Sequence, residues 1–177
     1  MNTKLIKLAI NAKKGDIDAF SELIVSLEQD LYRVASIRLN SAEDIDDALQ
    51  STIEQALKNI KKLRKPQYVK TWLIKILINN CNAIYKKNKN KVEFNENIKL
   101  NIKNSNEEVI NSKLDFYIML KDLNEKEKLA ITLYYSEKLT TKEISKILKE
   151  PESTIRNRIS RAIRKLKEKY EGGVHYE

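Results

Sequence analysis

The chain has 177 residues and a mass of 20.7 kDa, a length that suits one domain of average size or two small ones. It contains three Gly and two Pro, where typical usage predicts about 12 and about 9. Hairpins and phosphate-binding loops depend on these residues, so β-sandwiches, barrels and Gly-rich nucleotide folds are disfavoured. We therefore expect an all-α protein.

The sequence is typical of a protein of the reducing cytoplasm, and we expect it there. No apolar run approaches the roughly 18 residues of a membrane span. Lys13, Lys14 and Asp16 follow the N-terminal segment too soon for a signal-peptide core. The single cysteine, Cys81, excludes an internal disulfide framework.

The net charge of +9 is concentrated in two segments. Residues 58–91 carry 11 basic and no acidic side chains, and residues 138–170 carry 11 basic and four acidic ones. The segments before them, 1–57 and 92–137, have net charges of −4 and −3. This pattern predicts two polyanion-binding surfaces. Solvated lysine faces on helices are the alternative interpretation.

Apolar residues recur every three or four positions over residues 3–12 and 16–39, which predicts two helices. A third helix is predicted over 41–63, with Ser41 as its N-cap and acidic residues in its first turn. Its apolar stripe starts at Ile45 and leaves a polar face of Asp44, Asp46, Asp47, Gln50, Ser51 and Glu54. A fourth helix is predicted over 69–85, and because its run Trp72–Ile78 is apolar almost all round, we expect this helix at the centre of its domain.

Residues 91–112 are rich in Asn and lack periodicity, which predicts a linker. A long surface loop of one domain is the alternative, but this segment is longer than most such loops. Beyond it, Thr140-Thr141-Lys142-Glu143 is a capping box that begins a short helix. A turn at Lys149-Glu150-Pro151 leads to a longer helix over 152–169, whose apolar stripe starts at Ile155. Two helices joined by a short turn, the second with a basic outer face, form the helix-turn-helix pattern.

Four of the seven arginines lie within nine residues of that second helix. The chain otherwise prefers Lys, and a planar guanidinium is needed where two acceptors are contacted at once, as on guanine or phosphate. Asn157 suits adenine, and Thr154 lies where a helix N-terminus meets phosphate. We therefore predict that this helix reads duplex DNA. An exposed basic helix that binds acidic protein, or nothing, is the alternative.

The basic segment 58–91 also holds Tyr68, Trp72, Tyr85 and three closely spaced asparagines. Basic, aromatic and amide side chains together suit single-stranded nucleic acid, in which bases stack and amides bond their edges. The alternative is that Trp72 is a core residue, as we expect Cys81 to be.

Sequence features of enzymes are scarce. The one histidine, His175, lies in the final three residues, and the sequence has no Gly-rich phosphate loop or Cys/His metal spacing. Asp44, Asp46 and Asp47 suit a solvated or a partner-binding surface better than a catalytic pair. We expect a protein that is not an enzyme and that uses no cofactor, metal or small-molecule substrate.

Taken in order, these segments resemble a bacterial extracytoplasmic-function (ECF) sigma factor, over about residues 15–88 and 113–170. The resemblance is carried by Ala19–Leu23, Ala42–Gln50 and Thr71–Asn80 in the first half, and by Leu123–Glu127 and Thr140–Leu166 in the second. It implies two small helical domains. These are sigma domain two (1–90) and a helix-turn-helix sigma domain four (113–171), joined by a flexible linker (91–112) and followed by a tail (172–177).

The resemblance also implies a role for each surface. The clamp helices of the RNA polymerase β′ subunit would be bound by Asp44, Asp47, Gln50, Ser51 and Glu54. The −10 promoter element, with a flipped base, would be bound by Lys75, Asn79, Asn80, Asn82, Lys86 and Lys87. Sigma domain four would sit on the β-subunit flap and contact the −35 element through Thr154, Arg156, Asn157, Arg158, Ser160, Arg161 and Arg164.

Within the family, Ile76–Cys81 is similar to members from low-GC Gram-positive bacteria that answer cell-envelope stress. This implies a stress regulon and a membrane-anchored anti-sigma factor as partner. Two positions depart from the family pattern. Ala83 stands where an acidic residue is usual, which bears on the −10 contacts. Lys149 and Glu150 stand where the turn usually has Gly and an apolar residue, which bears on its geometry.

Two other functions fit the residues. A helix-turn-helix regulator with an N-terminal sensing or dimerisation domain would bind duplex DNA without joining RNA polymerase. A helical adaptor or anti-sigma-like protein would bind acidic protein through its basic faces. Substitution of Asp47 or Gln50 separates the sigma factor from the regulator, because only the sigma factor would lose polymerase binding while its duplex binding survives.

Overall fold

The structure is a computed structural model that describes residues 3–92 and 120–171, with the side chains of 3–88 and 120–168. The chain divides into two compact units, residues 1–99 and 100–177, which are described separately. Every regular element in the described ranges is helical. This confirms the all-α fold expected from the low content of Gly and Pro.

Four α-helices form the described part of the first unit. They are α1 (Thr3–Lys13), α2 (Ile17–Arg38), α3 (Ala42–Asn59) and α4 (Val69–Val92). The predicted third helix, 41–63, extends beyond the observed end of α3 at Asn59. Two 3-10 turns, Ile60–Lys62 and Pro66–Tyr68, connect α3 to α4. Pro66 begins the second turn, where its missing N–H leaves no helical hydrogen bond unmade.

Capping residues set two of the helix starts in the first unit. The side chain of Asp16 accepts a hydrogen bond from the Ala19 N–H at 2.9 Å and so begins α2. Ser41 Oγ accepts one from the Asp44 N–H at 3.0 Å and begins α3. The predicted Ser41 cap is therefore confirmed. Each cap satisfies a backbone donor that has no partner within the helix.

Helix α4 lies at the centre of the first unit, packed on α2 and α3. Leu73, Ile74, Leu77 and Ile78 are each exposed by 1% or less, which confirms the central position predicted for this helix. Cys81 is buried, also as predicted. Trp72 is half-buried rather than a core residue, because it lies about 140° round the helix from the buried Leu77 and about 160° from the buried Ile74.

The described part of the second unit begins at Leu120. It contains α5 (Glu125–Ile131), which continues as a π-helical turn (Thr132–Ser136), and then α6 (Thr141–Leu148) and α7 (Glu152–Glu171). Ile155, Ile159 and Ala162 of α7 are buried, and α7 packs on both α5 and α6. The helix-turn-helix predicted from the sequence is thus α6, the turn and α7.

The capping box predicted at the start of α6 is present. Thr140 Oγ1 accepts a hydrogen bond from the Glu143 N–H at 3.2 Å, and Glu143 Oε2 accepts one from the Thr140 N–H at 2.9 Å. A second capping box, between Asn124 and Glu127, begins α5. Both boxes are local, reciprocal pairs of hydrogen bonds across three residues.

Parts of two predictions lie outside the described residues. The predicted linker 91–112 is described only at residues 91 and 92, which belong to α4. The predicted tail 172–177, with His175, is not among the described residues either. Within 3–92 and 120–171, every helix is too short or too polar to span a membrane. The same ranges hold no group of three or more His, Cys, Asp and Glu side chains arranged to hold a metal ion.

Candidate functional site

Helix α3 presents an acidic face to solvent. Its core side is occupied by the buried residues Ile45, Ala48, Thr52 and Ala56. The opposite face carries the five residues predicted to bind core polymerase: Asp47, Gln50 and Glu54 are exposed, and Asp44 and Ser51 are half-exposed. Because positions 44, 47, 51 and 54 recur at intervals of three and four, the helix brings them into one stripe.

Two hydrogen bonds order the carboxylates on this face. Gln50 Nε2 donates to Glu54 Oε1 at 3.3 Å, one helical turn away. Asn88 Nδ2 of α4 donates to Asp44 Oδ2 at 2.7 Å, so the first carboxylate of the stripe is tied to the neighbouring helix. The positive end of the α3 dipole also stabilises the charge of Asp44 in the first turn.

The residues predicted to bind the −10 element do not all share one face of α4. Lys75, Asn79, Asn82 and Lys86 follow one another at intervals of four, three and four, so they form one stripe. Lys75, Asn79 and Lys86 are exposed. Asn80 and Lys87 are turned by more than about 100° from Lys75, so the helix divides the six predicted residues into two groups.

Asn80 is bonded to α3 at both ends of its amide. Its Nδ2 donates to Thr52 Oγ1 at 3.0 Å, and its Oδ1 accepts from Gln55 Nε2 at 2.9 Å. Thr52 is fully buried and donates in turn to the backbone oxygen of Ala48 at 2.6 Å. Asn80 therefore connects α4, which is predicted to bind the −10 element, to α3, which is predicted to bind core polymerase.

Asn82 is bonded to Arg38 at the end of α2, a residue for which the sequence predicted no role. Arg38 Nη2 donates to Asn82 Oδ1 at 2.6 Å, and its guanidinium carbon lies 5.5 Å from the centre of the Tyr85 ring. Only three of the seven arginines lie outside α7. In a chain that otherwise uses lysine, this choice of arginine was the one sequence feature that could have indicated a specific role for Arg38. Burial raises the pKa of the adjacent Cys81 thiol to about 12, although the charge of Arg38 opposes the shift.

The outer face of α7 is exposed and basic. Arg156, Asn157, Ser160, Arg161 and Arg164 are all exposed and fall within an arc of about 140° around the helix. Thr154 is half-exposed at its N-terminal end. Five of the seven residues predicted to contact the −35 element thus share one surface, which we call the α7 outer face.

Arg158 differs from its neighbours. It lies outside this arc, its side chain is 12% exposed, and its Nη2 is 2.5 Å from Glu150 Oε2 in the turn between α6 and α7. No pattern in the sequence signals this pairing, because a basic residue on a DNA-binding helix suits phosphate as well as it suits a carboxylate.

Helix α7 is also bonded to α5 through Lys165 and Glu127, a buried carboxylate for which the sequence predicted no role. Burial raises the pKa of Glu127, but hydrogen bonds from the Lys165 ammonium and the Asn124 N–H outweigh it. The charges of Lys165 and Arg161 act in the same direction, so the pKa lies below its ordinary value.

Two family models match the chain. Sigma-70 region 2 matches residues 23–91, and Sigma-70, region 4 matches residues 119–168. The acidic face of α3 and the polar stripe of α4 lie in the first match. The helix-turn-helix, through Arg164, lies in the second.

The chain is similar to named sigma factors over most of its length. It is 28% identical over 141 residues to RNA polymerase sigma factor SigV of Bacillus subtilis (strain 168), which covers 80% of this chain and 84% of that protein. It is 28% identical over 170 residues to the ECF RNA polymerase sigma-E factor of Haemophilus influenzae, and this match covers 88% of this chain and 89% of that protein.

A solved structure of sigma factor RpoE in complex with the anti-sigma factor NepR, from Bartonella quintana, has the same fold. It is 21% identical with a TM-score of 0.69, covering 89% of this chain and 98% of that one. The family matches, the relatives and the fold agree with the resemblance seen in the sequence. The chain therefore belongs to the sigma-70 family of RNA polymerase sigma factors, and its named relatives are consistent with the extracytoplasmic-function group of that family.

Proposed function

We propose that this chain is an alternative sigma factor that binds core RNA polymerase, recognises −10 and −35 promoter elements, melts promoter DNA and initiates transcription of a stress regulon. The observation that carries the proposal is the order of three surfaces within two sigma-70 regions. An acidic face on α3 precedes a stripe on α4, in a segment without carboxylates, and the α7 outer face follows.

Helix α3 binds the clamp helices of the polymerase β′ subunit through Asp44, Asp47, Gln50, Ser51 and Glu54. A row of carboxylates on a rigid helix steers the two proteins together and fixes their register. Asp44 joins this contact while Asn88 holds its second oxygen, so the carboxylate is oriented before the polymerase arrives.

Helix α4 binds the −10 element along the stripe of Lys75, Asn79, Asn82 and Lys86, with Lys87 as a further phosphate contact. The lysines supply affinity through phosphate, and the exposed amide of Asn79 contacts a base edge. Removing a base from the stack costs a few kcal/mol, and these contacts offset that cost during melting. Asn80 supports the stripe from behind through Thr52 and Gln55.

The second unit sits on the polymerase β flap and reads the −35 element with the α7 outer face. Arg156 and Arg161 have the planar donors that guanine and phosphate require, and Asn157 has the donor–acceptor pair that adenine requires. Thr154 contacts phosphate at the N-terminus of the helix, while Ser160 and Arg164 extend the contact along the groove.

The chain acts in the cytoplasm and is not itself an enzyme, since the polymerase forms the phosphodiester bonds. No cofactor or small-molecule substrate enters this scheme. The partner that controls it is an anti-sigma factor, membrane-anchored in our proposal. The complex of RpoE with the anti-sigma factor NepR supports a partner of this class.

In vitro transcription with sigma-free bacterial core polymerase on fragmented genomic DNA tests the proposal, with the start sites sequenced. Discrete starts that share upstream elements at a fixed spacing are expected. Absence of starts, together with intact duplex binding by the chain alone, would instead favour a regulator that does not join RNA polymerase. Loss of both activities, with binding to acidic protein, would favour an adaptor.

A further inference from the structure

The turn between α6 and α7 is held by side chains as well as by backbone. Lys149 adopts the left-handed conformation, with φ 57° and ψ 41°, which glycine adopts more readily. Ser145 Oγ donates to the backbone oxygen of Glu150 at 2.6 Å, and the Glu150 N–H donates to the backbone oxygen of Ser145 at 3.2 Å. The backbone of Glu150 is therefore fixed relative to α6.

The carboxylate of Glu150 then reaches α7. Arg158 Nη2 lies 2.5 Å from Glu150 Oε2, and the two side chains are 12% and 29% exposed. A second bond joins the starts of the two helices, from Thr141 Oγ1 to Glu152 Oε1 at 2.6 Å. Polar contacts therefore connect α6 and its turn to the first two turns of α7.

We infer that Glu150 is a positioning residue, which holds Arg158 and thereby sets the orientation at which the α7 outer face meets the −35 element. This inference rests on the proposed function and deepens it. Apolar packing of Ile155 and Ile159 is not directional, whereas a charge-assisted hydrogen bond has a defined geometry. Paired contacts to a base edge need placement within about 0.5 Å.

Charge supports the same assignment for Arg158. If this guanidinium left Glu150 to bind phosphate, the carboxylate would remain partly buried and close to a polyanion, which is unfavourable. The exposed Arg156 and Arg161 reach phosphate or base without that cost. We therefore assign the guanidinium of Arg158 to its pairing with Glu150 and not to a contact with a base.

A double-mutant cycle with Glu150→Ala and Arg158→Ala, in holoenzyme on promoters altered at single −35 base pairs, tests this assignment. Each single variant is expected to lower −35 discrimination about 5-fold over several base pairs, and the double variant no further. The salt dependence of binding by Arg158→Ala should equal that of the wild type. Two results for Arg158→Ala would overturn the inference. One is a slope of log affinity against log salt that is smaller in magnitude by about one. The other is a loss of discrimination at a single base pair that Glu150→Ala does not show.

Thermal unfolding of the full chain tests the pair without DNA. The midpoint shifts of the two single variants should be non-additive by about 4 °C or more. The pair Arg164–Glu168 on the same helix is the matched control, because its atoms are 3.8 Å apart and its side chains 69% and 67% exposed. Its cycle should be additive, and additivity at both pairs would overturn the inference.

Conservative variants separate a folding defect from a positioning defect. Glu150→Asp and Arg158→Lys keep the charges and replace the alanine variants if those do not fold, with smaller losses of the same pattern expected. If wild-type holoenzyme shows no −35-dependent transcription while the unfolding cycle is non-additive, the proposed function fails and the pairing stands. If discrimination is normal in every folded variant, the positioning role fails and the proposed function stands.

Discussion

Lys165 Nζ lies 2.8 Å from Glu127 Oε2 and 3.0 Å from Glu127 Oε1, so one ammonium group spans both oxygens of a buried carboxylate. The same carboxylate closes the capping box of α5 by accepting the Asn124 N–H at 3.1 Å. The side chain of Glu127 thus both completes the cap of α5 and binds α7 through Lys165. The α7 outer face therefore depends on a contact 38 residues away in the sequence.

Glu127→Gln should lower the free energy of unfolding of the second unit by about 1 to 2 kcal/mol, because glutamine keeps the capping acceptor but loses the charge opposite Lys165. The folded pKa of Glu127 lies below its ordinary value of 4.5. Its contribution is thus fully present above that pH and is lost as the pH falls through the folded pKa. Chemical denaturation between pH 3 and pH 7 measures this, and the variant should differ less from wild type at the acid end.

The exposed Glu125→Gln is the matched control for that measurement, because it lies in the first turn of the same helix. An equal loss of stability in both variants, with the same pH dependence, would contradict a specific role for Glu127.

Asn79→Ala and Asn80→Ala should have different consequences although the residues are adjacent. Asn79 is exposed on the α4 stripe, so its loss should weaken binding of single-stranded −10 DNA by holoenzyme and leave the unfolding midpoint unchanged. Asn80 is bonded to Thr52 and Gln55, so its loss should destabilise the first unit by about 1 kcal/mol. Fluorescence anisotropy and thermal unfolding measure the two effects. The reverse pattern would mean that Asn80 is the base contact.

Asp47→Asn should weaken binding to core RNA polymerase about tenfold, mainly through a slower association rate that depends on salt. Glu28→Gln is the control, since it removes an exposed carboxylate from α2 rather than from the α3 stripe. Association kinetics at two salt concentrations compare them. If both variants weaken binding equally, only the net charge of the first unit matters.

Arg156→Ala should cost about 1 to 3 kcal/mol at one −35 base pair and relax specificity there. Lys167→Ala, on the same helix and also exposed, should weaken binding uniformly across sequences if it acts on phosphate alone. Holoenzyme binding to a panel of promoters with single −35 changes measures both. A uniform loss for Arg156→Ala would make it a phosphate contact.

Cys81 should resist thiol reagents in the folded protein. With a pKa of about 12, roughly one thiol in ten thousand is ionised at pH 8, and the side chain is fully buried. The reaction rate with a disulfide reagent should therefore follow local unfolding of α4 and rise sharply in denaturant. Since the folded pKa is raised, the first unit should lose stability as the pH rises from about 9 towards 12. Rapid native labelling would contradict the burial.

Local signals in the sequence were sufficient for the starts of α3 and α6, whereas the Asp16 cap of α2 and the capping box of α5 were not predicted. The Ser41 cap and the Thr140–Glu143 capping box join residues three apart, so the residue types alone specify them. The apolar stripe of α7 was equally predictable, because one side of a helix that packs on a core must be apolar. The end of α3 was harder to predict, because the apolar pattern of the helix continues to Ile60 while the backbone changes to 3-10 geometry over Ile60–Lys62.

The contacts of the polar side chains in the site depend on how the helices pack together. Asn82 and Arg38 are 44 residues apart, and Asn80 and Thr52 are 28 apart, so their pairing depends on how α4 packs on α2 and α3. An amide or a guanidinium bonds equally well to a base, a phosphate or a neighbouring side chain. The pattern of apolar residues therefore predicts which residue types face outward on α4 and α7. The packing of the helices determined that Asn79 and Arg156 stay exposed while Asn80 and Arg158 are held within the fold.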